Sequence, residues 1–227
     1  MQRQERFFKH HDSRVPIEIV YGQNTRKLKD ALEFEEYVDP HYFEKAVEME
    51  LDADLIRPDT TYFNLGAIGC CFSHLSIINE CPHKYALIFE DNMIVKTPKF
   101  YDEVQKVLDK LGNDFEMCFF HCTSRVPVQI VDGIEKVKWI SSMKCYLVNV
   151  ENMKKFTKYY LPMDNHVDNK TEEIIDRGAR VFYKDMRRYI QLDRSQQSTI
   201  GHRHHGKKEF FSRVHPELTL KDLKWGY

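Results

Sequence analysis

The sequence predicts an α/β domain with a mainly parallel central sheet flanked by helices. Segments of strand and helix character alternate along the chain, and such alternation implies parallel strands joined by helical crossovers. Tyr85-Ala86-Leu87-Ile88-Phe89 is a short continuous apolar run, the mark of a strand buried on both faces. It runs straight into the polar turn Glu90-Asp91-Asn92.

The elements are expected in the following order. Pro16 to Tyr21 reads as a strand ending at Gly22. His41 to Leu51 reads as a helix with Phe43, Val47 and Leu51 on one stripe. Gly66 to Ile78 is a second helix. At 3.6 residues per turn, Ile68, Cys71, Phe72, Leu75 and Ile78 share its core face. After the 85–89 strand, Pro98 to Leu111 has proline near its first turn and Gly112 at its end, both helix boundary signals. Phe115 to Cys122 is a further strand. If it is regular throughout, Cys118 and Cys122 fall on one face.

Val128 to Val131 and Ile134 to Ile140 flank Asp132-Gly133, a strong two-residue hairpin signal. Pro127 suits the start of the first of these strands. Cys145 to Val148 is a strand, and Asn149 can cap a helix running through Tyr160. Thr171 to Arg177 is a short helix closed by Gly178. Val181 to Tyr183 and, more weakly, Tyr189 to Gln191 complete the strands. Residues 1–201 form one domain on this reading, and 202–227 form a basic, aromatic tail or flap.

Composition narrows the function. With 227 residues and 42% hydrophobic residues, one sizeable core can form. A formal net charge of −1 gives no global field for nucleic acid or an anionic membrane. The polar start Met1 to Arg6 lacks the apolar core of a secretory signal. No apolar run approaches the ~18 residues of a membrane-spanning helix. Six scattered cysteines without paired zinc-type spacing read as buried free thiols, so a reducing, cytoplasmic setting is expected.

Candidate chemistry lies between residues 66 and 92. Opposite the core face, the 66–78 helix carries Gly66, Gly69, Ser73 and Ser76, with His74 at the edge. Small residues admit close approach by another backbone or by a ligand, and the two readings stand side by side. His74 can be a hydrogen-bonded structural histidine or a site residue. In parallel sheets ligands bind beyond the carboxyl ends of strands, which places Glu90, Asp91 and Asn92 at the rim of a cleft. Oxygen ligands there can hold a hard cation, or the turn can be a solvated strand end.

The run Gly66-Ala67-Ile68-Gly69-Cys70-x-x-Ser73-His74-Leu75, followed by Ala86-Leu87-Ile88-Phe89-Glu90-Asp91-Asn92, resembles the signature of glycosyltransferase family 25, which holds lipooligosaccharide and procollagen galactosyltransferases. Members read G-E-I-G-C-x-x-S-H-L and then A-L-I-x-E-D-D. Weaker resemblance extends from Arg3 to Ile200, including Arg3 to Phe8, Ser142 to Asn149, His166-Val167-Asp168, and Gln191 with Ser198 to Ile200.

The resemblance implies a GT-A-like fold and transfer of a hexose, often galactose from UDP-galactose, to a glycan or glycoprotein hydroxyl with inversion. It implies Asp168 and Asp91 as catalytic carboxylates, with Asp168 as base or acceptor-binding group. Arg6, Gly66, Gly69, Ser73, His74, Glu90 and Gln191 would contact the donor, and Mn²⁺ or Mg²⁺ would bind weakly at Asp91 and Asn92. Either Asp164 or Asp168 can instead cap the following helix. His202 to Lys208 reads as a solvated tail or as a flap over the diphosphate, with His205 a further metal ligand. Three departures weaken the catalytic expectation: Asn92 replaces the last acidic residue, Ala67 replaces a glutamate, and the chain starts after the family's first strand. The alternative is a non-catalytic relative that binds nucleotide, glycan or a protein partner.

Overall fold

The structure is a computed structural model. It describes residues 9, 11–51, 63–193 and 224–225. The helices are α1 (Leu28–Ala31), α2 (Pro40–Leu51), α3 (Leu65–Glu80), α4 (Lys99–Leu111), α5 (Val150–Lys154) and α6 (Lys170–Asp176). The strands are β1 (Tyr85–Phe89), β2 (Met93–Val95), β3 (Met117–Phe119), β4 (Ser124–Val131), β5 (Ile134–Ser141), β6 (Cys145–Asn149), β7 (Val181–Tyr183), β8 (Ile190–Leu192) and β9 (Lys224–Trp225). Two 3₁₀ turns, Leu32–Tyr37 and Thr157–Tyr160, follow α1 and α5.

Capping explains where the helices begin. Asp39 accepts from the Tyr42 amide just ahead of Pro40, which itself needs no amide partner. Asn64 accepts from the Ala67 amide at 2.7 Å and starts α3. Asn149 accepts from the Asn152 amide and starts α5, which is shorter than its pattern predicts and passes into the 3₁₀ turn. Gly112 (φ 58°) and Gly178 (φ 95°) follow α4 and α6 in left-handed conformations that a side chain disfavours.

Seven strands form one sheet in the order β1-β6-β3-β7-β5-β4-β9, and β2 pairs with β8 in a separate ribbon. The sheet is mixed and mostly antiparallel, not mainly parallel. Only β3 and β7 pair in parallel among the described strands. β1, β3 and β7 do share a direction, as helical connections favour, but β6 runs against its neighbours between β1 and β3. Periodicity reveals a strand but not the neighbours between which it inserts.

The hairpin across Asp132-Gly133 forms as expected, with φ of 51° and 71° at the two turn residues. Pro127 lies inside β4, at a register shift, and not at its start. Pro16 to Tyr21 is not a strand. It pairs with no described strand, and Ile17, Ile19, Val20 and Tyr21 are exposed. Apolar alternation favours an extended chain, but a ladder also needs an available edge.

The sheet separates two cores. One holds α3 residues Ile68, Cys71, Leu75 and Ile78 against Ile88, Met117, Phe119, Tyr146 and Val148. The other packs Phe100, Val104 and Val107 of α4 against Cys118, Cys145 and Leu147. Cys118 and Cys122 therefore lie on opposite sides of the sheet, because the regular strand ends at Phe119. No described helix is long and apolar enough to cross a membrane.

Candidate functional site

α3 and β1 converge on Glu90. Cys70 and His74 lie four residues apart on α3, so both project toward the same side of the helix. Glu90 follows the last residue of β1, and its amide donates to the Lys144 carbonyl at 2.8 Å. The Lys144 ammonium lies 2.8 Å from Glu90 Oε2, while His74 Nε2 lies 3.8 Å from Oε1. On the other side of the ring, His74 Nδ1 shares a 2.8 Å hydrogen bond with the Tyr146 hydroxyl. Tyr146 stands opposite Ile88 in the β1–β6 register, so pairing of the strands brings it to the histidine.

The charges reinforce one another. Burial works against ionisation of Glu90, but His74 and Lys144 outweigh it and hold the carboxyl down at about 2. Burial works against a charged His74 as well, and Cys70 with Glu90 outweighs it, raising the imidazole to about 10. Lys144 is likewise raised despite its burial, through Glu90. Burial drives Tyr146 well above its ordinary value, so it remains a neutral phenol.

Asp168 approaches the same loop from the segment just ahead of α6. Its Oδ2 accepts from the Ser142 amide at 2.7 Å, two residues before Lys144. Ser142 has φ 84°, and its hydroxyl lies 3.5 Å from His121 Nδ1. Oδ1 of Asp168 accepts from the adjacent Asn169 amide, and Asp164 pairs with Lys170 at 2.9 Å. The N-cap residue of α6 is Asn169, whose side chain makes no capping hydrogen bond.

The small arc of α3 meets another stretch of chain. The Thr25 hydroxyl donates to the Leu65 carbonyl and accepts from the Gly69 amide, and Ser73 Oγ accepts from the Gln23 amide. A methyl group at Gly69 would lie 2.7 Å from Thr25 Oγ1 and closer still to the Gln23 carbonyl. Close approach of a backbone thus accounts for Gly69. Gly66 is half-buried, and Ala67 is buried in the larger core.

Asp91 is exposed, Asn92 is half-buried, and Gln191 is exposed on β8 opposite Ile94. Oδ1 of Asn92 is buried without a hydrogen-bond partner. Among the described residues Asp91 belongs to no cluster of three or more acidic, imidazole or thiol side chains. Arg6 and His205, like the segment His202 to Lys208, lie outside the described residues.

The sequence singled out Glu90, His74 and Asp168 as candidates, and the structure adds Lys144, Tyr146 and Ser142 as their hydrogen-bond and ion-pair partners. The sequence also contained an unused signal for Cys70, the four-residue spacing to His74 on one helix.

The fold and site define a mixed α/β protein with an ionised carboxylate at a strand end, bracketed by two cations. No model of a known protein family matches the chain, and no curated protein matches it. Solved structures with some likeness include UDP-glucose pyrophosphorylases. An apo form is 7% identical with a TM-score of 0.39, covering 52% of each chain. A form complexed with UDP-glucose is 8% identical with a TM-score of 0.39, covering 69% of each chain. A UTP-bound form from Acinetobacter baumannii is 9% identical with a TM-score of 0.39, covering 86% of this chain and 76% of that one. The chain thus spans about half the length of the first of these. At these scores the likeness carries no argument about activity.

Proposed function

We propose that the chain is a glycosyltransferase of the family 25 type. It transfers a hexose, galactose as the preferred sugar, from a UDP-linked donor to a hydroxyl of a glycan or glycoprotein. The observation that supports this reading is the gathering of Glu90, His74, Lys144 and Asp168 around one loop beyond β1.

In this reading Asp168 accepts the proton of the acceptor hydroxyl as that oxygen bonds to the anomeric carbon. The bond from that carbon to the diphosphate oxygen breaks on the opposite face, which inverts the configuration. Lys144 and protonated His74 supply positive charge toward the departing diphosphate, and Glu90 holds both in place. No step requires Mn²⁺ or Mg²⁺ at Asp91 and Asn92.

The test is nucleotide release from UDP-, GDP- and dTDP-sugars, with and without acceptor glycans, together with equilibrium binding of each donor. Saturable UDP release that Asp168→Asn suppresses supports transfer. The amide at Asn92 favours a second reading, binding without transfer. Donor binding with no nucleotide release from any donor and acceptor pair would establish that reading instead.

A further inference from the structure

Cys70, His74 and Glu90 offer three chemically different donors. Cys70 Sγ, a ring nitrogen of His74 and a carboxylate oxygen of Glu90 all lie within 4.8 Å of one another. Tetrahedral zinc with ordinary bond lengths places its ligand atoms about 3.3–3.6 Å apart. The 3.8 Å between His74 Nε2 and Glu90 Oε1 is close to that without rearrangement. Cys70 and His74 stand four residues apart on α3 and share a helix face, which brings the sulfur within 4.8 Å of the other two donors.

The surroundings are those of a supported site. Tyr146 holds Nδ1 of His74, which fixes the ring and leaves Nε2 facing Cys70 and Glu90. Lys144 holds Oε2 of Glu90 and leaves Oε1 facing the histidine. His74 is buried while Cys70 and Glu90 are half-buried, so the cluster is sheltered without being sealed. Sulfur and imidazole select borderline or soft metals over Mg²⁺ or Mn²⁺.

We propose that Cys70 Sγ, His74 Nε2 and Glu90 Oε1 form a binding site for a zinc-class divalent ion, with a fourth position open to water or a substrate oxygen. Binding replaces the Nε2 proton of His74 by the metal and takes the sulfur as thiolate, and the displaced protons pass to solvent. Two negative ligands and the neighbouring Lys144 leave one net positive charge on the loaded cluster. Three protein ligands and an open position match reactive zinc sites better than closed structural ones. Metal-bound His74 and the protonated His74 of the transfer step are alternative states of one residue, and the proposal stands without sugar transfer.

Co²⁺ titration of the full chain, followed by near-ultraviolet and visible absorption, tests it. One equivalent should bind and give a thiolate-to-cobalt charge-transfer band, and Zn²⁺ should displace it. Cys70→Ser should abolish the band and weaken binding at least tenfold, and His74→Asn should weaken binding at least tenfold. The histidine-rich run His202 to His205 contains no sulfur, so a band owed to sulfur cannot come from it. A readout on the unmutated protein avoids dependence on variant folding. Zn²⁺ should slow alkylation of Cys70 by iodoacetamide at least tenfold, measured by peptide mass. Absence of the band, its survival in Cys70→Ser, or unchanged alkylation of Cys70 with Zn²⁺ would overturn the proposal. UDP release measured without added metal keeps this outcome separate from the fate of the transferase reading.

Discussion

Glu90 is held at about 2, below its ordinary 4.5, and His74 at about 10, above its ordinary 6.5. The two shifts bound stability from opposite sides. The lowered carboxyl contributes fully above about 4.5, and its contribution fades as pH falls toward 2. The raised imidazole contributes fully below about 6.5, and its contribution fades as pH rises through 10. Urea unfolding across pH should therefore show a maximum between these limits and a decline on the alkaline side. His74→Asn should lower stability by about 3 kcal/mol, since it leaves a half-buried carboxylate with one partner fewer, and should flatten the decline between 6.5 and 10. At Gly69 the limit is steric. Gly69→Ala should cost about 1–3 kcal/mol, seen as a lower urea midpoint, because the added methyl meets the Gln23 and Thr25 segment.

The β4–β5 hairpin was readable because Asp132-Gly133 combines local chemistry with local geometry. Both residues take the positive φ that a two-residue turn demands. Gly133→Val should accordingly lower stability by about 1–2 kcal/mol in denaturant melts, whereas Asp132→Asn should be near neutral, since asparagine tolerates the same conformation. Helices α3 and α4 were readable for a related reason: the apolar stripe of the one and the Pro98 and Gly112 boundary signals of the other are local. The position of β6 was not, because it inserts between β1 and β3, both distant from it in sequence and neither joined to it by a hairpin. Half of the candidate site was obscured for the same reason. Glu90 and His74 stand in an ordered motif, but Lys144 and Tyr146 reach them only through the register that pairs Ile88 with Tyr146.

The whole molecule gathers its charged site from α3, the end of β1, the loop before β6 and the segment ahead of α6. Under the transferase reading, Asp168→Asn should reduce UDP release in the presence of acceptor by about 10²–10⁴-fold, with donor binding changed less than twofold. A comparable fall in donor binding would instead make Asp168 a structural or binding group. The cysteines offer a different measure of the same fold. All six are free, and Cys71, Cys118, Cys122 and Cys145 are buried while Cys70 and Cys81 are partly open. Burial pushes the Cys71 thiol to about 12 and Cys122 to about 11, so reaction of the sheltered sulfurs requires the protein to open. Cys118 and Cys145 lie in the smaller core, and Cys71 and Cys122 lie in the larger one. The chain therefore contains its own reporters of native-state fluctuation. The relative labelling rates of these two pairs would tell whether the two sides of the sheet open together or one before the other.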